Sequence, residues 1–224
     1  MIININKAKF IVFVIAASAA IIILGWALFF IPENNVNACV RIYTGEGCGS
    51  GMIYSINEDE ILIATAAHVL EGYDKNSHVE FADGSSARAL MCSLDDNNDI
   101  GILSVPVSNI DNETLNSIKE VDITADIYGD EPLYLSYDYA GKCIMYDLFQ
   151  KNGIILFVNG KITSMNEYVY AFDKHMLHGI SDKVTEGMSG SPIFDSKGRL
   201  LGMLLAGNDA GDFVGITYFN LVNH

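Results

Sequence analysis

Short apolar runs separated by turn residues make up the chain from residue 39 onward. The first group comprises CVRIYT, GMIYSI, EILIAT, HVEFA, ARALMCSL and IGILSVPV. The second group comprises PLYLSY, KCIMYDLF, GIILFV, KITSM, YVYAF, SPIF, LLGMLLAG and FVGITYF. Runs of this length that are rich in β-branched and aromatic residues and bounded by turn formers are typical of β-strands. The pattern therefore predicts an all-β fold.

A polar, acidic segment without strand signals, residues 108–131, separates the two groups. Two successive all-β halves of this size predict a pair of packed barrels or sandwiches. We place the first half at residues 39–110, an inter-barrel linker at residues 111–131 and the second half at residues 132–224. Because clefts between domains are common ligand sites, we expect the function to lie where the two halves meet.

The amino-terminal part of the chain contains an uncharged apolar run at residues 10–31. A helix of this length extends roughly 33 Å, which exceeds the bilayer hydrocarbon thickness of roughly 30 Å. Lys7 and Lys9 precede the run, so the positive-inside rule places residues 1–9 in the cytoplasm. We predict a transmembrane signal anchor, a short linker at residues 32–38, and a single-pass protein of the cell membrane whose remaining residues are extracytoplasmic.

A cleaved signal peptide is the alternative interpretation of this run. Val36 and Ala38 are small enough for cleavage after Ala38 by a signal peptidase. The apolar region of a signal peptide usually spans only about 7 to 15 residues, however, which favours a retained anchor. The polar residues 33–35 also separate the run from this cleavage site.

Charge and cysteine content limit the classes of partner. The formal charge is −15, and every acidic residue follows the apolar run, which disfavours nucleic acid and anionic lipid as partners. Cys39, Cys48, Cys92 and Cys143 lie in the part predicted to be extracytoplasmic, where disulfides form. Their spacing contains no Cys-x-x-Cys pair and does not indicate a metal site. Three disulfide connectivities and a set of buried thiols all remain open.

The segment EGMSGSP, residues 186–192, places a serine between two glycines. It is either a tight surface turn or a nucleophile on a turn whose N–H groups face a reacting carbonyl. A nucleophilic serine needs a base, and the base needs a carboxylate that fixes its tautomer. His68 in ATAAHVL ends an apolar strand, and Asp99 in DNNDIGIL leads directly into one. His68, Asp99 and Ser189 are therefore the candidate catalytic residues.

The motifs TAAHVL, NDIGIL and GMSGSP, in this order, resemble the trypsin-like serine peptidases of the chymotrypsin fold. GEGCGSGMIY is similar to a segment of HtrA-like peptidases, and GMSGSP is similar to the form found in glutamyl endopeptidases. The resemblance covers residues 39–222 and implies two six-stranded antiparallel β-barrels. It also implies hydrolysis of peptide bonds in a protein or peptide substrate, with no cofactor and no metal.

The resemblance also implies a role for each matching residue. Ser189 attacks the peptide carbonyl, His68 takes and returns the proton, and Asp99 holds His68 and stabilises its cation. The backbone N–H groups of Gly187 and Ser189 form the oxyanion hole. The resemblance places Lys183 at the base of the S1 pocket, where a lysine favours an acidic P1 residue. The alternative interpretation of Lys183 is a solvated lysine in a surface loop. The implied S1 residues are Lys183, Val184, Thr185, Leu205, Ala206 and Gly207.

Two features depart from the family pattern. Met188 stands where trypsin and its relatives carry an aspartate that pairs with a newly cut N-terminus. We therefore expect a protease that is active without N-terminal processing, or one that is ordered by another signal. Since 35 residues follow Ser189, we expect no PDZ domain of the kind that HtrA-like peptidases carry. We predict a membrane-anchored serine endopeptidase. The alternative is a catalytically silent binding or scaffold domain that keeps the peptidase fold, since a fold does not fix a function.

Overall fold

The structure is a computed structural model that describes residues 35–45, 47–122, 127–128, 131–132, 140–149, 155–181 and 183–217. The predicted cytoplasmic segment 1–9 and the predicted membrane anchor 10–31 lie outside these ranges. Within them, no helix is both long enough and apolar enough to cross a membrane. The described residues belong to the two predicted β halves and to the segments beside them.

Seven antiparallel strands form the first sheet. They are β1 (Cys39–Tyr43), β2 (Cys48–Ile56), β3 (Glu60–Thr65), β4 (His78–Phe81), β5 (Ser86–Arg88), β6 (Leu90–Asp95) and β7 (Ile100–Pro106). Their spatial order is β5-β4-β1-β2-β3-β7-β6. Ala89 alone separates β5 from β6, so the two ends of the sheet belong to one bent stretch of chain. The sheet curls back on itself, but hydrogen bonds among the described strands do not close it.

This first sheet corrects the prediction of a closed six-stranded barrel in the first half. The run ARALMCSL predicts one strand, whereas the structure divides it at the buried Ala89. The Tyr73 hydroxyl donates to the Ala89 carbonyl and accepts from the Met91 N–H, each at 3.1 Å. Tyr73 thereby satisfies backbone groups that a neighbouring strand would otherwise pair, and the chain bends at this point.

Six antiparallel strands close the second sheet into a barrel, which confirms the prediction for the second half. They are β10 (Gly141–Asp147), β11 (Leu156–Val169), β12 (Lys174–Ser181), β13 (Pro192–Asp195), β14 (Leu200–Gly207) and β15 (Asp212–Thr217). The order around the barrel is β10-β11-β12-β15-β14-β13. KITSM and the start of YVYAF, expected as separate strands, both lie in β11. Two short strands, β8 (Ile127–Tyr128) and β9 (Glu131–Pro132), pair with each other.

Helical structure in the described residues is limited to short segments. The α-helix α1 (Asn112–Ser117) lies in the predicted linker, and the Asp111 carboxylate caps it by accepting the N–H of Thr114 at 2.8 Å. Three single turns of 3-10 helix complete the set: Asn35–Ala38, Ala67–Leu70 and Val107–Asn109. The turn Ala67–Leu70 follows β3 directly and contains His68.

Two apolar clusters form the core, and the first of them contains residues of both sheets. In the first sheet, Ile61, Ile63, Leu103 and Val105 on β3 and β7 are all 1% exposed or less. The second barrel encloses a separate cluster that includes Met145, Ile162, Leu177, Leu204 and Phe213. Full burial of one such side chain contributes roughly 1.5–3 kcal/mol, so the first cluster stabilises the packing between the two sheets as well as the first sheet itself.

Leu103→Ala is expected to lower the free energy of unfolding by about 2–5 kcal/mol, because it leaves a cavity in the first core. Leu94→Ala is the matched control, since Leu94 on β6 is 45% exposed. It is expected to change stability by less than about 0.5 kcal/mol. Urea unfolding of the full-length variants, followed by circular dichroism, measures both values. Equal losses would contradict the burial pattern of the first sheet.

Candidate active site

His68 and Asp99 come together from neighbouring strands of the first sheet. His68 lies just after β3, and Asp99 directly precedes β7, the partner of β3. The Nδ1 atom of His68 lies 2.8 Å from Asp99 Oδ2, and the backbone N–H of His68 donates to Asp99 Oδ1 at 2.9 Å. Both carboxylate oxygens therefore hold His68, and Nε2 is the ring nitrogen left for proton transfer.

The backbone at Asp99 has a conformation that few residues adopt. Its φ is 55°, in the left-handed region where Asp and Asn are among the tolerated non-glycine residues. The Asp99 carbonyl accepts the N–H of Ala67 at 3.1 Å. Before it, Asp95 Oδ1 accepts the N–H groups of Asn97 and Asn98 at 3.0 and 3.1 Å. Asp95 thus shapes the turn, while Asp99 faces His68.

This environment raises the pKa of His68 above its ordinary value of 6.5. The largest cause is the side-chain hydrogen bond with Asp99, and partial burial of the imidazole acts in the opposite direction. The negative charges of Asp99 and Glu71 add smaller increases. The site therefore stabilises an imidazolium at this position, which is the form that a general base takes during a reaction.

Ser189 opens onto the same cavity as His68 and Asp99. The cavity has a volume of about 500 Å³, and all three side chains line it. The Ser189 hydroxyl donates to the Leu205 carbonyl at 2.9 Å. Leu205 lies where the register between β14 and β15 shifts. The three candidate residues therefore share one cavity, and the serine hydroxyl is bonded to Leu205 rather than to His68.

The turn that carries Ser189 has two backbone donors that have no acceptor among the described residues. The N–H of Met188 donates to the Thr185 carbonyl at 3.2 Å. The N–H groups of Gly187 and Ser189, on either side of it, donate to no acceptor in the part of the chain that the structure describes. Gly187 has a φ of +88°, which favours glycine. Two free donors beside a serine are the arrangement that stabilises an oxyanion.

Ser50 on β2 holds this turn from the first sheet. Its N–H donates to the Ser189 carbonyl and its hydroxyl donates to the Gly187 carbonyl, each at 2.8 Å. Gly190 has a φ of +87°, and a Cβ added there would lie 2.0 Å from the Ser50 carbonyl oxygen and 2.5 Å from Thr65 Oγ1. The sequence analysis missed Ser50, although the glycines around it in GEGCGSGMIY were a usable signal of close approach.

A comparison with protein families identifies the chain. The profile described as a trypsin-like peptidase domain matches residues 49–203. This chain belongs to the trypsin-like peptidase domain family. The matched range includes His68, Asp99 and Ser189. No curated protein sequence matches the chain significantly.

Solved structures of proteases are similar to this trypsin-like domain. The inactive form of Rv3671c from M. tuberculosis H37Rv has a TM-score of 0.61 at 18% identity, over 86% of this chain and 89% of that chain. Deg5 has a TM-score of 0.62 at 17% identity, over 85% and 88%. The HtrA-type protease AlgW with a tripeptide has a TM-score of 0.64 at 18% identity, over 84% and 58%. At these identities the similarity establishes a shared fold.

Met188 is a core residue of the trypsin-like domain. Its side chain is 0% exposed and packs in the cluster of the second barrel together with Ile193 and Leu204. The N–H of Thr185 approaches its sulfur atom at 3.4 Å. Apolar burial therefore anchors the turn at the position where trypsin and its relatives carry a charged aspartate.

The structure brings most of the implied S1 residues into the cavity. Lys183 is exposed and is not part of the lining, whereas the other five residues line it: Val184, Thr185, Leu205, Ala206 and Gly207. Val184 packs against Gly207, since a Cβ added to Gly207 would lie 2.5 Å from Val184 Cγ1. Five further residues of the lining were not among the predicted site residues: Phe172, Glu186, Leu204, Asn208 and Asp209. Phe172 comes from the connection between β11 and β12, which carried no functional signal.

All four cysteines of the trypsin-like domain are free thiols in the structure. Burial raises the pKa of Cys143 to about 12 and moves the pKa of Cys39 in the same direction. Both thiols therefore stay protonated and unreactive at neutral pH. Cys48 and Cys92 are exposed.

The Asp99→Asn variant is expected to lower the pKa of His68. The substitution removes the carboxylate that raises this pKa and leaves the burial that lowers it. An NMR titration of the imidazole resonances in the full-length protein measures the change, with His68→Gln used for assignment. A pKa in Asp99→Asn that equals or exceeds the wild-type value would contradict the described pairing.

Gly190→Ala is expected to destabilise the protein more than Gly84→Ala does. Both glycines have a similar positive φ, near +88°, but a Cβ at Gly84 meets nothing within 4 Å. Gly84→Ala therefore measures the backbone cost alone, about 1–2 kcal/mol. The overlap with Ser50 is expected to add about 2 kcal/mol or more in Gly190→Ala, measured by urea unfolding. Equal losses would show that the turn does not approach β2 so closely.

Proposed function

We propose that this trypsin-like peptidase domain is a serine endopeptidase in which His68, Asp99 and Ser189 form the catalytic triad. The observation that carries the proposal is the double hydrogen bond between His68 and Asp99, at the edge of the cavity that Ser189 shares. A structural histidine does not need a paired carboxylate, an adjacent serine and free N–H donors around one cavity. Each of these features has a separate function in acyl transfer.

In the proposed acylation, the Ser189 hydroxyl rotates from the Leu205 carbonyl towards Nε2 of His68. Ser189 Oγ attacks the carbonyl carbon of the scissile peptide bond, and His68 takes the hydroxyl proton. Asp99 holds the imidazolium through Nδ1. His68 then protonates the leaving amine, the C–N bond breaks, and an ester between the substrate and Ser189 remains.

Deacylation repeats these steps with water as the nucleophile. His68 removes a proton from water as the water oxygen attacks the ester carbonyl. His68 then returns the proton to Ser189 Oγ, the ester C–O bond breaks, and the carboxylic acid product leaves. In both halves of the reaction, the N–H groups of Gly187 and Ser189 donate to the oxyanion. Loss of one donor of this kind typically lowers turnover about 10²- to 10³-fold. Removal of the Gly187 N–H from its position is therefore expected to lower turnover by about this factor, which is less than the loss expected for removal of His68.

The cavity lining bears on the choice of substrate. Its charged side chains in the described residues are Asp99, Glu186 and Asp209, all of them acidic. Lys183 remains outside the lining, so the preference for an acidic P1 residue that the sequence suggested has no support here. The substrate we propose is a protein or peptide without an acidic P1 side chain.

A catalytically silent binding domain is the second candidate function. The hydrogen bond between Ser189 and Leu205 favours it, because the hydroxyl is not aligned with His68. His68 and Asp99 are nevertheless paired, and Ser189 lines the same cavity. We therefore propose the endopeptidase first.

We also propose that the peptidase domain is anchored in the cell membrane and acts on its outer side. Residues 10–31 support this location, because they contain no charge and exceed the length needed to span the bilayer. The lysines at positions 7 and 9 support a cytoplasmic N-terminus.

Labelling of the full-length protein with a fluorophosphonate probe tests the proposal. The wild type is expected to react, because the probe forms a covalent bond only with an activated serine. Ser189→Ala is expected to abolish the reaction, and His68→Ala is expected to slow it about 10³-fold or more, since the triad residues act as a unit. Hydrolysis of a denatured protein substrate, followed in parallel, links the labelling to peptide-bond cleavage.

The matched controls are Ser196→Ala for Ser189→Ala and His175→Ala for His68→Ala. Ser196 and His175 are both exposed, and both control variants are expected to keep full labelling. Folding of every variant is checked by circular dichroism. If folded wild-type protein shows neither labelling nor hydrolysis, the binding-domain alternative replaces the endopeptidase.

A further inference from the structure

The segment Asp147–Phe149 at the end of β10 lies beside the turn that carries Ser189. Asp147 is only 2% exposed. Its Oδ2 accepts the hydroxyl of Thr185 at 3.1 Å, and its Oδ1 accepts the N–H of Phe149 at 3.0 Å. A buried carboxylate is costly unless it is hydrogen-bonded, so these donors favour one arrangement of both segments. The Thr185 carbonyl in turn accepts the N–H of Met188.

The ring of Phe149 lies against Gly187. A Cβ added to Gly187 would lie 2.9 Å from Phe149 Cδ2, so the ring leaves space for glycine alone. On its other side, the ring meets Tyr43 of β1 edge-on, with the centroids 5.9 Å apart. Phe149 therefore contacts the first sheet and, at the same time, the turn around Gly187 and Ser189, which we call the oxyanion turn.

Arg41 on β1 fixes the same segment from the first sheet. Its Nε donates to the Leu148 carbonyl, and its Nη1 forms an ion pair with Glu80 on β4. The Arg41 side chain is only 12% exposed. The segment is therefore held on one side by the first sheet and contacts the oxyanion turn on the other.

We propose that Asp147 and Phe149 are positioning residues that keep the Gly187 and Ser189 N–H groups directed at the substrate carbonyl. This inference rests on the proposed endopeptidase function. Glycine at position 187 is free to adopt several backbone conformations, so its N–H direction must be fixed by neighbours. Ser50 holds the Gly187 carbonyl on one side. On the other side, Asp147 acts on the turn through its hydrogen bond with Thr185. Phe149 packs directly against Gly187. Apolar burial of Met188 alone provides no such directional contact.

Two substitutions of Thr185 and one of its partner Asp147 test this role in the full-length protein. Thr185→Val keeps the shape of the side chain and removes its hydroxyl, and Thr185→Ser restores the donor to Asp147. We expect Thr185→Val to lower kcat about tenfold or more with KM changed less than about twofold, because a displaced donor costs transition-state binding. Thr185→Ser is expected to recover most of the loss. The double variant Asp147→Ala with Thr185→Val is expected to lower kcat by no more than the larger of the two single substitutions does.

The second readout is the second-order rate of fluorophosphonate labelling, which is expected to fall in parallel with kcat. Thr163→Val is the matched control, because this hydroxyl bonds to His178 on the second barrel outside the cavity. A normal kcat in Thr185→Val, or a loss confined to KM, would overturn the positioning role while leaving the endopeptidase intact. A wild-type protein that neither labels nor cleaves would overturn the endopeptidase and this inference together.

Discussion

Ser50 contacts the turn around Ser189 through its N–H, its hydroxyl and its carbonyl oxygen, and these contacts join the two sheets. Ser50 lies within β2, which pairs with β1 on one side and with β3 on the other. Thr65 of β3 also donates its hydroxyl to the Ser50 carbonyl at 2.7 Å. Ser50 cannot shift without breaking the hydrogen bonds of β2 with β1 and β3. The first sheet therefore fixes the position of the turn that Ser50 contacts.

This contact matters because the two sheets divide the candidate chemistry between them. The first sheet supplies His68 and Asp99, which meet within one pair of strands. The second barrel supplies Ser189, the free N–H groups and the walls of the cavity. The first apolar cluster contains residues of both sheets, including Leu205 of the cavity lining. Packing between the sheets therefore contributes to the geometry between base and nucleophile.

The sequence was sufficient to predict the elements of this arrangement whose signals are local. Alternating apolar runs predicted the strands, and the order of three short motifs predicted His68, Asp99 and Ser189. Contacts between distant segments had no such signal: no local pattern predicts that Phe149 reaches Gly187. The single-strand prediction for ARALMCSL also failed for this reason, because the bend depends on a distant tyrosine hydroxyl. Distances along the chain were a poor guide to Lys183, since the direction of a loop side chain depends on tertiary packing.

Asp99 combines two independent requirements at one position. Its left-handed backbone favours glycine, asparagine and aspartate, whereas its partner His68 requires a carboxylate. Glycine lacks the side chain, asparagine lacks the charge, and glutamate adds a methylene while being a poor left-handed residue. Only one of the twenty amino acids satisfies both requirements. A substitution at this position therefore loses either the backbone preference or the charge, and the pairing with His68 is lost rather than replaced by an equivalent.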